Sequence, residues 1–391
     1  MGTSIGVLAL QLLLIDGMHA TADEVGLVRA AQWAPYLVIG LLAGVWVDRV
    51  RRKPVLVGAD LAQAALVVTI AAAALAGRLS VWGLAGLVFG MGAVSCVQIA
   101  AHQSFIPRVV SEGQLPDAFA RLGQLGGATQ SAGPLVAGTL VKWLSAPVAL
   151  LLDAASYLIS AAALSRVRVE EPVDGAAGES VWAELREGAR WVYTHPVLRS
   201  YAWWLHGMFF FMAMVQAMVV YLATVELGLG AVAVGLVLAA AGVGGVVAGH
   251  FAADLGRRYG VGLSCRVAEL TTPAWGLLIA VAPPGRWGFA CLLLAHLLVG
   301  VTVVSATMSM SYRNEVTPDH LRARMNGTIR TFNWGGLALA SLLSGWLAAR
   351  FGVRTPLWIG AVGLVVVTAY LWVSPFGRVV SADPPDTQSL A

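Results

Sequence analysis

Gly44-Val45-Trp46-Val47-Asp48-Arg49-Val50-Arg51-Arg52-Lys53 follows a long apolar run. A related stretch, Gly249-His250-Phe251-Ala252-Ala253-Asp254-Leu255-Gly256-Arg257-Arg258, follows another, and the two aspartates are 206 residues apart. A second pair of segments, Val110-Ser111-Glu112-Gly113-Gln114-Leu115 and Val316-Thr317-Pro318-Asp319-His320-Leu321, has the same offset. Two unrelated segments sharing one offset argue for a repeat of about half the chain. The chain reads as a duplicated membrane protein.

The composition agrees. Of 391 residues, 58% are hydrophobic and 12% charged, and the mean hydropathy is +0.76. That much apolar surface does not fit inside a soluble core and requires lipid. Nearly charge-free runs lie near 30–47, 54–77, 79–101, 122–141, 146–165, 200–223, 227–253, 259–282, 287–312, 331–349 and 355–374. Most reach the ~20 residues a spanning helix needs. A twelfth run, Ile5 to Ile15, is half a span, so the chain is expected to begin inside its first helix. The composition of the runs is helical rather than alternating, which predicts helices and not barrel strands.

The net charge of +4 does not indicate a nucleic-acid partner, because the basic residues fall in short gaps between spans. With the loop holding Arg49 to Lys53 in the cytoplasm, strict alternation places 19 Lys or Arg inside. Six fall outside: Arg29, Arg78, Lys142, Arg286, Arg350 and Arg354. This is the positive-inside pattern. Cys96, Cys265 and Cys291 all sit in apolar spans and offer no disulfide framework or metal spacing, so no metal is expected.

The chain divides into an N-terminal six-helix bundle (1–165), a cytoplasmic linker (166–199), a C-terminal six-helix bundle (200–377) and a tail (378–391) expected to be disordered. In the linker, Val181, Trp182, Leu185, Ala189 and Val192 recur at helical spacing, which predicts an interfacial amphipathic helix.

The Gly44, Asp48, Arg49, Arg51, Arg52 pattern at the end of the second span resembles that of the major facilitator superfamily, in its branch of bacterial multidrug and siderophore exporters. The resemblance covers nearly the whole chain. It implies an all-α integral membrane fold of two pseudo-symmetric six-helix bundles, twelve spans in all with the first truncated. It also implies alternating access, and a gating role for Asp48, with Asp254, Arg257 and Arg258 as its second-half counterpart. A carboxylate at a helix end can pair with basic groups or helix N-termini in one conformation and release them in another. In the fifth span Gly133, Pro134 and Gly138 are similar to the motif of exporters and antiporters, where Pro removes a helix hydrogen bond and Gly permits close contact. Ala137 departs from that motif. So does Gln63, where relatives commonly carry Arg near Asp60.

Coupling is expected from membrane acids, with Asp16, Asp60 and Glu226 as candidates. Arg266 and Glu269, three apart, read as a local ion pair. A substrate cavity between the halves would draw on Gln98, Gln130, Trp203, Gln216 and Asn333. These readings describe a non-enzymatic plasma-membrane transporter. It is expected to be a monomer, to need no cofactor, and to export a hydrophobic or amphipathic small molecule against an inward proton gradient. Two alternatives stay open: a dedicated siderophore or secondary-metabolite exporter, and a transport-inactive truncated protein or scaffold.

Overall fold

The computed structural model describes residues 2–110, 112–167 and 181–379, at a few positions, Gly44 and Asp48 among them, by backbone alone. The rest of the linker and the tail from residue 380 lie outside it.

The described residues form helices and connecting turns. They are α1 (Gly2–Leu12), α2 (Ala22–Trp33), α3 (Pro35–Asp48), α4 (Arg52–Leu75), α5 (Val81–Val109), α6 (Leu115–Leu144), α7 (Ala146–Arg166) and α8 (Val181–Thr194). The second half holds α9 (Pro196–Tyr221), α10 (Ala231–Tyr259), α11 (Val261–Glu269), α12 (Thr271–Val281), α13 (Arg286–Val299), α14 (Val303–Glu315), α15 (Asp319–Phe351) and α16 (Arg354–Val373). The pairs α2–α3, α11–α12 and α13–α14 each make one span, giving twelve, six on either side of α8. Seven spans are long and apolar enough to cross a membrane on composition alone. Among the others, α6 and α15 fall short because their cytoplasmic halves are polar, as in Asp319 to Arg330.

The duplication is sharper in the backbone than in the sequence. α1 and α9 each end in a five-residue π-helical turn, Leu13–Gly17 and Leu222–Glu226. Each turn leads into a left-handed residue, His19 at φ 53° and Gly228 at φ 64°. Next come N-caps of nearly identical geometry, Thr21 and Gly230. All these pairs are 209 residues apart, and so are the starts of α4 and α11, Arg52 and Val261. The motif aspartates, at 206, are out of this register. Asp48 ends its helix, whereas Asp254 lies five residues before the end of α10. Arg257 holds the place that corresponds to Asp48.

The two halves meet along two seams, α2 against α15 and α6 against α10, and both are closed at their outer ends by glycine. A Cβ on Gly26 would lie 2.7 Å from the Gly345 Cα, and one on Gly235 would lie 2.5 Å from the Pro134 carbonyl. Small residues allow such backbone approach in lipid, where no hydrophobic force drives helices together. Toward the cytoplasm the second seam parts beyond Gly127 and Val246: Arg121 to Gly126 on α6, and Val247 and Phe251 on α10, are exposed. The α6–α10 seam is thus closed at its outer end and open at its inner end, which explains the polar inner half of α6.

Two sequence expectations need correction. Arg29 is not an outer-loop charge: α2 starts at Ala22 behind a Thr21/Glu24 capping box, which places Arg29 two turns inside the membrane helix. The α8 helix does not rest on lipid alone but docks on the C-terminal bundle. Gly188 packs on the Arg324 backbone, Glu187 pairs with Arg324, and Trp191 Nε1 donates to Thr317 Oγ1 at 3.2 Å.

Candidate functional site

The basic loop after the second span begins where α3 ends at Asp48, and the Arg49 and Val50 N–H groups take up the Trp46 and Val47 carbonyls of its last turn. The side chains of Gly44 and Asp48 are outside the described ones. Arg49 and Arg51 are exposed and Arg52 is buried, while Lys53 Nζ donates to the Val167 carbonyl at 2.7 Å, tying α4 to the end of α7. In the second half Asp254 pairs with Arg257 on its own helix and Arg258 is exposed. That exposed i,i+3 pair does not bridge the halves.

The helix α6 runs unbroken through Pro134. Its three motif residues face different neighbours: Gly133 packs on Ser4 of α1, the Pro134 carbonyl on Gly235, and Gly138 on the Ala231 carbonyl. The motif thus brings α6 close to α1 and α10 together, at the closed outer end.

The coupling candidates separate by position. Asp16 is exposed in the outer π turn. Glu226 pairs with Arg354 at 3.1 Å, and the same guanidinium donates to the Ala280 and Ala282 carbonyls, so this acid clamps the outer ends of three C-terminal spans. Asp60 is buried and accepts from Gln98 Nε2 at 2.6 Å, and its second oxygen has no partner among the described residues. The sequence reading missed its counterpart. Glu269, 209 residues later, is buried on α11 and accepts from Thr272 Oγ1 at 2.8 Å and from Ser305 Oγ. The anticipated ion pair with Arg266 does not form, because Arg266 stacks over Trp372 at 5.0 Å. A third buried acid, Asp153 on α7, packs against Gly2 and Gly6 of α1.

The cavity candidates are placed as follows. Gln98 is committed to Asp60. The Asn333 Oδ1 faces His206 Nδ1 at 2.5 Å, and His206 Nε2 faces the Tyr193 hydroxyl at 2.8 Å, so α8, α9 and α15 are joined. Trp203 is exposed at the edge of that cluster, 5.9 Å from Tyr193. Gln130 is exposed on the cytoplasmic side of Gly133. The Gln216 backbone carbonyl accepts from Arg29 Nη2 at 3.0 Å, across the halves. Sequence reasoning missed the aromatic contact between the halves, Trp33 and Tyr36 against Trp334, with ring centroids 6.2 and 4.6 Å apart. No cluster of metal-ligating side chains occurs among the described residues.

Two bundles related by an internal repeat, joined by a docked linker helix and closed on one side around a central opening, define a major facilitator transporter rather than an enzyme. The chain belongs to the transmembrane secretion effector family, which it matches over residues 1–388. It is similar to the multidrug efflux pump Tap of Mycolicibacterium fortuitum, 25% identical over 377 residues that cover 90% of this chain and 87% of that one. The nucleoside transporter NupG (D323A mutant) shares the fold with a TM-score of 0.73 at 13% identity, over 95% of this chain and 98% of that one. A bacterial homologue of the human lysosomal transporter Spinster, in an inward-facing unoccupied conformation, has a TM-score of 0.71 at 14% identity, over 96% and 95%.

Proposed function

We propose that the chain exports a hydrophobic or amphipathic small molecule from the cytoplasm by alternating access, driven by the inward proton gradient, as a monomer in the plasma membrane. The observation that carries the reading is the asymmetry of the α6–α10 seam: glycine-tight at its outer end, parted at its cytoplasmic end. A cavity open to the cytoplasm receives its substrate there, and backbone contacts without interlocking side chains can separate and re-form. The likeness to a multidrug efflux pump supports export of drug-like compounds. Asp60 and Glu269, at matching depth in the two halves, are our choice of proton-carrying groups, since acids within a membrane mark proton or ion pathways.

The test is loss of preloaded fluorescent drugs from energised cells lacking their own exporters. Loss that depends on this chain and collapses with an uncoupler supports the reading. Retention of every compound, despite confirmed membrane insertion, counts against it.

A further inference from the structure

Arg29, Trp33 and Tyr36 are spaced by four and three residues, which places them on one face of the second span. Ala34, between α2 and α3, keeps helical angles and donates to the Ala30 carbonyl, so that face continues through the junction. Across the seam on α15, Arg330 and Trp334 are also four apart. The Trp334 ring is T-shaped on Tyr36 at 4.6 Å, and the Arg330 guanidinium lies 5.7 Å from the Trp334 ring centroid. Three rings therefore lie between two arginines, one from each half.

Neither arginine has a carboxylate partner among the described residues. Arg29 donates to a backbone carbonyl, and Arg330 donates to Gln103 Oε1 at 3.3 Å. Guanidinium offers five donors, so both keep donors to spare. Arg29 lines a cavity with Gln11, Gln32 and Gln63 and retains surface open to it. Asp153 lines the same cavity from α7 but makes no ion pair with Arg29. A cation held within a membrane is costly and is normally paired or turned toward a water-filled path that needs its charge. The cavity volume is about 100 Å³ and its lining comes from the N-terminal half alone, so it takes the acidic end of a drug-sized ligand rather than the whole of it.

Building on the export reading, we infer that this strip binds an amphipathic anion. Arg29, which lines the cavity with Trp33 and Tyr36, takes the acidic group by charge-assisted hydrogen bonds, and the rings of Trp33, Tyr36 and Trp334 take an aromatic body. A planar carboxylate, sulfonate or phosphate fits the guanidinium fork better than any uncharged group. An anionic lipid headgroup offers the same chemistry, and the experiment separates the two.

The full chain in phosphatidylcholine nanodiscs is titrated with 1-anilinonaphthalene-8-sulfonate and with N-phenyl-1-naphthylamine, its uncharged counterpart, with empty nanodiscs as the blank. The wild type is expected to bind the sulfonate at least about tenfold more tightly than the neutral amine. Arg29→Gln should lose that preference while binding the amine as before, Arg29→Lys should keep part of it, and Arg330→Gln, beyond the three rings, should keep it in full. Equal affinity of the wild type for both probes overturns the inference. So does a parallel loss of both probes in Arg29→Gln when Arg29→Lys, equally monodisperse on size exclusion, retains both. Loss of wild-type sulfonate binding in phosphatidylglycerol-rich discs assigns Arg29 to lipid and also overturns it. Binding requires neither gradient nor turnover, so failure of efflux with the sulfonate preference intact counts against the export reading alone.

Discussion

Gly26 on α2 and Gly345 on α15 meet backbone to backbone at the outer end of one seam: a Cβ on Gly26 would lie 2.7 Å from the Gly345 Cα and 2.8 Å from the Ser341 carbonyl. Neither obstacle is a side chain that could swing away. Gly26→Val should therefore hold the outer ends apart rather than deform one helix. Spin labels at 23 and 350, both at exposed outer positions, are expected to report a longer distance population than in the wild type. Efflux should fall at least about tenfold. An unchanged distance distribution with normal efflux would show that the seam does not gate.

Asp60→Asn and Glu269→Gln test the coupling assignment, because each substitution keeps an oxygen that can still accept from Gln98, or from Thr272 and Ser305. Local packing is preserved while the exchangeable proton is lost. Each variant should lose gradient-driven efflux by at least about tenfold, a loss equivalent to ~1.4 kcal/mol, and retain substrate counterflow, which needs no net proton movement. Full proton-driven efflux in both would remove these acids from the mechanism.

The spans were legible because lipid demands long apolar runs, and no tertiary detail alters that demand. Apolarity alone places Arg29 outside the span, because the apolar run starts at residue 30, whereas the helix begins eight residues earlier behind a polar capping box. The partner of Glu269 is not legible, because i,i+3 spacing shows only that two side chains can meet. Arg266 is drawn instead to Trp372 on another span, a contact that no local pattern encodes. Gln98 and Asn333 looked like free polar groups, yet their partners lie on other helices, 38 and 127 residues away. Motif spacing gave the repeat, but the backbone register of 209 shows that Asp254 sits one turn deeper in its helix than Asp48.

That difference of one turn predicts different roles for the two motif aspartates. Asp48 ends its helix, and Asp254 is held by Arg257 of its own helix. Asp48→Asn is expected to cut turnover sharply while insertion stays intact, since only one charge leaves a basic loop. Asp254→Asn should change turnover less than about twofold, because an exposed i,i+3 pair contributes ~0.5 kcal/mol or less. Equal defects in the two variants, at equal expression, would restore their equivalence.

His195 caps the helix that opens the second half. Its Nδ1 accepts from the Leu198 N–H at 3.2 Å, and burial lowers its pKa below the ordinary 6.5. Only the neutral ring can accept, so the cap is present when His195 is uncharged. The sign follows from linkage. With the folded pKa depressed, the unfolded chain binds a proton first as pH falls, so the contribution is full above about pH 6.5 and is lost as pH falls through the folded value. Replacing an N-cap costs about 1 kcal/mol, which bounds the effect. His195→Asn supplies an acceptor that does not titrate, and the expected result is a melting temperature that declines less than the wild type's between about pH 7 and pH 5. His195→Ala should lie below both near pH 7 and converge on the wild type in acid. Parallel curves for wild type and His195→Asn would show that the α8–α9 junction does not sense pH through this ring.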